Sequence, residues 1–294
     1  MTAFRSGVVA VVGRPNTGKS TLVNALVGRK VSIVSDKPQT TRRNVRGVLT
    51  NDEYQVVFTD TPGFHKPRTA LGQRLNDAVG ASVDGVDAVV QVVDASAGVG
   101  RGDAFVFAQK VAAASGRTFC AVNKIDRLSH HAVVPQLAAA AELGDFDEIV
   151  PASALTGQGV AELRDLIAAV MPEGEPLFPP GEFSDQPLET WISEIVREKA
   201  LAITREEVPH SVAVVVDDLE RDDRLLRIEA TVLVERDSQR GILIGRGGAT
   251  LKDVGTRARE EIEAVLGTKV FLGLRVKVQK DWQRDPRALD RLGF

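Results

Sequence analysis

Gly13-Arg14-Pro15-Asn16-Thr17-Gly18-Lys19-Ser20 constrains this chain more than any other stretch. It follows a continuous apolar run, Gly7 to Val12, of the kind a buried parallel strand needs. It opens a segment with Leu22, Ala25 and Leu26 at helical spacing. Strand, glycine-bounded turn and helix start, in that order, make a loop for phosphate groups. Backbone amides of Asn16 to Ser20 converge on one small volume if no side chain crowds the curve, hence glycine at both ends. The helix N-terminus, with Thr21 in its first turn, adds partial positive charge. Lys19 brings a point charge to β- and γ-phosphates, and the Ser20 hydroxyl is a ligand for Mg²⁺. The plainer alternative is a glycine turn that happens to contain Gly-Lys-Ser, and the motifs downstream weigh against it.

Up to about Met171, apolar strand patterns alternate with helical ones. Strands are expected at 7–13, 44–50, 54–60, 86–93, 117–123 and 147–151, helices at 19–28, 70–83, 103–115, 130–143 and 159–170. That alternation predicts an α/β domain, a mostly parallel sheet with helices on both faces. Ligands of such sheets bind beyond the strand C-termini. Asp60-Thr61-Pro62-Gly63 follows one of these strands. Asp60 can hold Mg²⁺, and Gly63 lets a backbone N–H approach a γ-phosphate. Asn123-Lys124-Ile125-Asp126 ends another. Guanine presents two N–H donors on one edge, and the acceptor-only Asp126 carboxylate can take both. Lys124 can lay its stem along the ring. Ala152-Ser153-Ala154, after the next strand, would give a backbone N–H to the guanine O6. As an ordered set these motifs resemble the guanine-nucleotide-binding domain of translation-factor-type GTPases, which implies GTP and GDP as ligands.

Between the first helix and the second strand lies Pro38-Gln39-Thr40-Thr41-Arg42-Arg43. A threonine here can close over the γ-phosphate with its hydroxyl on Mg²⁺, so the loop reports the nucleotide state. Thr41 is the first choice and Thr40 the alternative. Lys19, Thr41 and Gly63 are thus the catalytic candidates. After Gly63 stands Phe64, where Ras-like proteins carry a Gln that orients the attacking water. Intrinsic turnover is therefore expected to be slow, or transition-state charge comes from elsewhere. Asn16, with the Thr-Thr-Arg loop, resembles the potassium-activated GTPases, which implies a K⁺ ion held by Asn16 near the phosphates. His65 is a second candidate base, a surface histidine being the plainer reading.

The single cysteine, Cys120, excludes an internal disulfide framework and a cysteine-based zinc site. It lies in an apolar strand pattern and fits a reducing cytoplasm. No apolar run approaches the ~18 residues that span a bilayer. Met171 to Gly181 holds four prolines and two glycines. It is expected to be a partly stiff linker, giving a first domain over 1–171, a linker over 172–186 and a second domain over 187–294.

Net charge is −3 but unevenly placed. Gln186 to Ser238 carries a net −6, and Gln239 to Phe294 a net +5. A basic segment in an acidic chain points to a local anionic partner. Leu188 to Thr204 has a helical period, Ser211–Val216 and Leu225–Val234 read as strands, and Asp217–Asp223 between them reads as an acidic turn. Gly245-Arg246-Gly247-Gly248 then gives a G-x-x-G loop, followed by a helix over 249–265 and a strand over 269–278. This order resembles the type-2 KH domain, a smaller α+β fold that clamps single-stranded nucleotides against the loop. Gly245, Gly247 and Gly248 let the RNA backbone approach main chain, and Arg246 adds a phosphate contact.

Taken together, the phosphate loop, Gln39-Thr40-Thr41-Arg42, Asp60 to Pro67, the Asn-Lys-Ile-Asp motif and the C-terminal G-x-x-G domain resemble the Era family of bacterial GTPases over essentially the whole chain. The resemblance implies binding near the 3′ end of small-subunit ribosomal RNA, assembly of the small ribosomal subunit, and peripheral association with the inner face of the cell membrane; the chain is expected to be a monomer. The alternative is a signalling or membrane-associated GTPase whose C-terminal domain binds protein.

Overall fold

Alternation along the first strand sets the architecture of the N-terminal part. In β1 (Arg5–Val12), Val9 and Val11 face one way, onto Leu22, Val23 and Leu26 of α1 (Lys19–Val27) and Leu163 and Ile167 of α5 (Val160–Val170). Ala10 and Val12 face the other way, onto Val79 and Val83 of α2 (Ala70–Val83) and Val106 of α3 (Arg101–Val106). The sheet is therefore covered on both faces, which is what an uninterrupted apolar strand requires. The computed structural model describes residues 3–37, 39–64, 67, 69–204, 211–222 and 224–293. Pro38, His65, Lys66 and Asp223, singled out above, lie outside the described residues.

The six strands run in the order β2-β3-β1-β4-β5-β6. The remaining five are β2 (Val45–Thr50), β3 (Tyr54–Asp60), β4 (Ala88–Asp94), β5 (Arg117–Asn123) and β6 (Glu148–Pro151). Only β2 is antiparallel to its neighbour; the other pairs are parallel. β1 sits between β3 and β4, so the chain reverses direction across the sheet at the C-terminal end of β1. A crevice opens at such a point, and residues 13–20 fill it. The helix expected over 103–115 is shorter. α3 ends at Val106 and a π-helical turn follows, Phe107–Val111. Ala112 N–H bonds the Phe107 carbonyl at 2.9 Å, a five-residue step that lets Val106 and Val111 both pack on the sheet. α4 (His130–Ala141) covers β5 and β6.

The stretch expected as a spacer is anchored along the first part. Gly174 N–H bonds the Phe4 carbonyl, Ser6 N–H the Pro172 carbonyl and Val48 N–H the Phe183 carbonyl. Gln55, fully buried, exchanges two hydrogen bonds with the Phe178 backbone. The prolines are compatible with this because the strap offers mainly carbonyls, which proline keeps. Contacts divide the chain into one unit of Met1–Val34, Thr41–Arg68 and Gly72–Asp185, and another of Ser35–Thr40, Thr69–Leu71 and Gln186–Phe294.

The second unit is built on a three-stranded sheet, β7 (Ala213–Arg221), β8 (Leu225–Val234) and β9 (Lys269–Val278), with β8 central, antiparallel to β7 and parallel to β9. Leu226, Ile228, Ala230, Val232 and Val234 form the buried face of β8. α6 (Leu188–Ile203), α7 (Asp237–Ile244) and α8 (Ala249–Leu266) complete the α+β layer, and a short α9 (Pro286–Arg291) ends the chain. The acidic turn expected at Asp217 is instead strand up to Arg221. A register shift between Val216 and Asp218 lets Asp217 accept the Thr231 hydroxyl at 2.6 Å and pair with Arg275 at 3.2 Å, which offsets its poor strand propensity.

Candidate functional site

Gly13 and Gly18 bound the phosphate loop for reasons of contact as well as curvature. A Cβ on Gly13 would stand 2.5 Å from the Val92 carbonyl, and one on Gly18 2.3 Å from the Asn123 amide nitrogen. Asn123 uses that nitrogen to bond the Thr17 carbonyl at 2.9 Å. Pro15 and Thr21 are half-buried, Asn16 is exposed, and Thr17 is buried with its hydroxyl on the Arg14 carbonyl. Lys19 is buried and bonds the carbonyls of Gly13 and Arg14 at 3.2 and 2.8 Å. Burial lowers its pKa to about 8, with Asp60 pulling it up and Lys124 adding to the fall.

The structure brings together the Ser20 hydroxyl, the Thr41 hydroxyl and the Asp60 carboxylate. Ser20 Oγ lies 2.8 Å from Thr41 Oγ1, which donates to Asp60 Oδ2 at 3.2 Å. Thr40 is not part of this cluster; its hydroxyl bonds the Lys37 carbonyl at 2.6 Å. Asp60 is fully buried, and its Oδ1 has no hydrogen-bond partner among the described residues. Burial pushes its pKa up, against the pull of Ser20, Lys19 and Thr41. Hard oxygen donors around an orphaned carboxylate oxygen fit Mg²⁺, which takes one or two carboxylates and completes its shell with phosphates and water. Among the described residues no group of three His, Cys, Asp or Glu could hold a metal. Thr61 turns inward, fully buried, with its hydroxyl on the Val11 carbonyl at 2.7 Å. Pro62 and Gly63 are buried beside it, and Phe64 N–H bonds the Gly13 carbonyl at 3.2 Å. Phe64 stacks on Phe105 at 5.5 Å with the Lys110 ammonium 4.8 Å over its ring. The side chain is thus held in an apolar contact with α3.

At the end expected to read the base, Asp126 is exposed and its Oδ1 accepts the Ser153 hydroxyl at 2.6 Å. That leaves further acceptor capacity on the carboxylate. The backbone donor expected for the guanine O6 is engaged: Ala154 N–H bonds Asn123 Oδ1 at 3.0 Å, and Ser153 N–H bonds the Gln158 carbonyl at 2.8 Å. A base must share Ala154 with Asn123 or displace it.

In the second unit, Gly245 has φ +72°, and a Cβ there would stand 2.1 Å from the Thr250 hydroxyl. Gly247 and Gly248 open on free space, and Arg246 is exposed. A groove of about 300 Å³ runs from Gly248 along Leu251, Lys252, Gly255, Thr256 and Arg259 of α8, with Leu272 and Leu274 of β9 as its floor. It has an apolar floor, two cations on its wall and a glycine loop at its end. That suits bases packed flat with phosphates against main chain.

Two family models match the chain. One, described as 50S ribosome-binding GTPase, matches residues 8–124, and the other, KH domain, matches 207–283. GTPase Era of Mycobacterium sp. (strain KMS) is 52% identical over 299 residues, covering 100% of both proteins. The chain belongs to the Era family of GTPases. GTPase Era of Mycobacterium avium (strain 104) is similar to the same degree. Among solved structures, Era in complex with MgGDPNP and nucleotides 1506–1542 of 16S ribosomal RNA superposes with TM-score 0.95 at 39% identity, covering 99% of each chain. Aquifex aeolicus Era with one substitution, bound to GDP and aluminium fluoride, matches equally well.

Several residues near these sites belong to no motif in the sequence. Lys252, Gly255, Thr256 and Arg259 line the groove, and only the four-residue steps from Leu251 to Gly255 to Arg259 could have marked one helix face. Asp94, at the end of β4, pairs with Lys124 at 2.6 Å. An aspartate closing an apolar strand beside the phosphate loop was its available signal.

Proposed function

We propose that the chain is a GTP-hydrolysing switch that binds small-subunit ribosomal RNA near its 3′ end and assists assembly of the small ribosomal subunit. The contact of Thr41 with both Ser20 and Asp60 carries the reading. A loop residue sits on the cluster that meets the terminal phosphate, so the order of the loop depends on whether that phosphate is there. Ser20, Thr41 and Asp60 would hold Mg²⁺. Bound there, the ion would neutralise charge on the phosphates as the terminal group is transferred to water. Lys19 would exchange the carbonyls of Gly13 and Arg14 for phosphate oxygens, and Gly63 would offer its N–H to the γ-phosphate. Asn123 would hold the phosphate loop while Asp126 selects guanine. Phe64 has no group to orient water, so intrinsic turnover is slow and K⁺ held by the exposed Asn16 supplies part of the missing charge.

The RNA assignment is supported by the groove beside Gly245, Arg246, Gly247 and Gly248, and by the full-length relative solved with 16S RNA. The model whose description names the 50S ribosome stops at residue 124, short of that groove. We place the protein in the cytoplasm as a monomer, with peripheral contact at the inner membrane face; no described helix is long and apolar enough to cross a membrane. The rival reading, a signalling GTPase whose second domain binds protein, lacks a use for an open glycine loop above a cation-lined groove.

The test is binding of a short RNA matching the small-subunit 3′ end, at fixed salt, with GDP and with a non-hydrolysable GTP analogue. Tighter binding with the analogue is expected, because a switch requires different affinities in the two states. Gly247→Asp adds a negative charge where the Cβ meets nothing, at a positive φ that Asp tolerates better than most residues. Loss of RNA binding with intact GTPase activity is expected, and unchanged RNA binding would favour the rival.

A further inference from the structure

Arg14, the second residue of the phosphate loop, uses its main chain inside the loop, where its carbonyl accepts Lys19 Nζ and the Thr17 hydroxyl. Its side chain leaves in another direction. Nε donates to Asp103 Oδ1 at 2.7 Å, and a terminal nitrogen donates to the Gly98 carbonyl at 3.3 Å. Asp103 is fully buried and fixed independently of Arg14. Its Oδ2 accepts Gly100 N–H at 3.0 Å at the start of α3, and its carbonyl accepts the Gln91 amide of β4 at 2.9 Å. Gly102 leaves room for the crossing: a Cβ there would stand 2.5 Å from Arg14 Cδ.

We propose that Asp103 and Gly102 form a latch that holds Arg14 against α3 and so shapes the phosphate loop before nucleotide arrives. They are positioning residues for nucleotide binding, a role that rests on reading 13–20 as the phosphate loop. The Arg14 carbonyl is one of two that Lys19 bonds, so the latch fixes the backbone that in turn places the ammonium. Unlatched, the loop must be ordered at the moment of binding, and that entropy is subtracted from affinity. Once phosphates are bound they hold the loop themselves. The latch therefore acts on the free enzyme and is read in KM more than in kcat.

The test compares Gly102→Ala, Asp103→Asn, Arg14→Ala, the Gly102→Ala/Arg14→Ala double variant and Lys19→Met in the full chain. Affinity for a fluorescent GDP analogue, the KM and kcat for GTP, and the nucleotide-free melting temperature are measured for each. Each single latch variant is expected to raise Kd and KM about tenfold while kcat falls by less than about threefold. The double variant is expected to match Arg14→Ala, since Gly102→Ala acts only by displacing that side chain. Gly102→Ala changes no charge and favours a helix, so it carries the test even if Asp103→Asn fails to fold. An affinity within about twofold of the parent for Gly102→Ala, or fully additive losses in the double variant, overturns the latch. Normal binding by Lys19→Met would instead remove the phosphate-loop reading beneath it.

Discussion

Lys124 Nζ lies 2.6 Å from Asp94 Oδ2 and 2.6 Å from the Asn16 carbonyl oxygen, so one ammonium spans the Asn-Lys-Ile-Asp motif, the end of β4 and the glycine-bounded loop. Asp94 is largely buried, and its Oδ1 accepts Ser96 N–H, the Ser96 hydroxyl and Ala97 N–H. Burial opposes its ionisation, but Lys124, Ser96 and Ala97 outweigh burial and hold the carboxyl below its usual range. A depressed carboxylate pKa contributes stability above the unfolded value, and that stability is lost as pH falls through the folded one. Asp94→Asn should remove this acid dependence. It should also weaken GTP and GDP about equally, by roughly tenfold, because Lys124 is aimed at the base end and not at the γ-phosphate. Titration with both nucleotides decides the point, and a loss confined to GTP would contradict it.

Asp126 is expected to choose the base by accepting two N–H groups. Asp126→Asn replaces one acceptor with an N–H₂ donor, which meets the donor edge of guanine badly and the C2 carbonyl of xanthine well. GTP affinity should fall by about 100-fold or more while xanthosine triphosphate gains. Competition between the two nucleotides reads the ratio directly. Equal losses for both would mean that Asp126 does not face the base.

The parts of the site legible in the sequence are those in which strand end and functional residues are contiguous. Asp60 and Asn123 close the apolar strands β3 and β5, and Lys19 opens the helix after β1, so local pattern places them together at one end of the sheet. Partners distant in sequence leave no such trace. Asp103 meets Arg14 across 89 residues, and Asp94 meets Lys124 across 30. The hydrogen bonds of the segment expected as a linker at 172–186 left no trace within that segment, because prolines mark where strand and helix fail and say nothing about what a carbonyl-rich segment can cover. Their clue was Gln55, a polar residue inside an apolar strand that needs partners when buried. The strand at Asp217–Arg221 was missed for a related reason: propensity disfavours aspartate there, and tertiary pairing with Thr231 and Arg275 overrides it.

Thr40 and Thr41 are adjacent and chemically alike, yet only Thr41 reaches Ser20 and Asp60. Thr41→Ala should slow hydrolysis at saturating GTP and Mg²⁺ by roughly 10²-fold, the scale of losing one aligned group at developing charge. Thr40→Ala should stay within about twofold, since its hydroxyl serves the Lys37 carbonyl and touches neither Ser20 nor Asp60. Single-turnover hydrolysis of the two variants separates them, and a larger defect in Thr40→Ala would reverse the assignment.

Asn16 stands exposed at φ +63° in the loop bounded by Gly13 and Gly18. If it holds K⁺ there, hydrolysis in KCl should exceed that in NaCl of equal ionic strength by about tenfold, the effect of one added charge near the transferred group. Asn16→Ala should abolish the difference while leaving the slow rate in NaCl in place. Matching rates in the two salts for the parent chain would exclude the ion.

Cys120 is fully buried in the packing of β5. Burial pushes its thiol up to about 12, and the nearby Asp103 charge adds to the shift. A buried, neutral thiol is a poor nucleophile because the thiolate is the reactive form. Iodoacetamide at pH 8.5 should label the native chain only to the extent that it unfolds, and label it fully in guanidinium. The linkage has a definite sign. The folded pKa lies above the unfolded value, so this group's contribution is complete below the usual thiol range and is lost as pH rises toward 12. The urea midpoint of the parent should therefore fall more steeply between pH 9 and 11 than that of Cys120→Ala. Parallel curves would show that the thiol ionises alike in both states, which burial in β5 forbids.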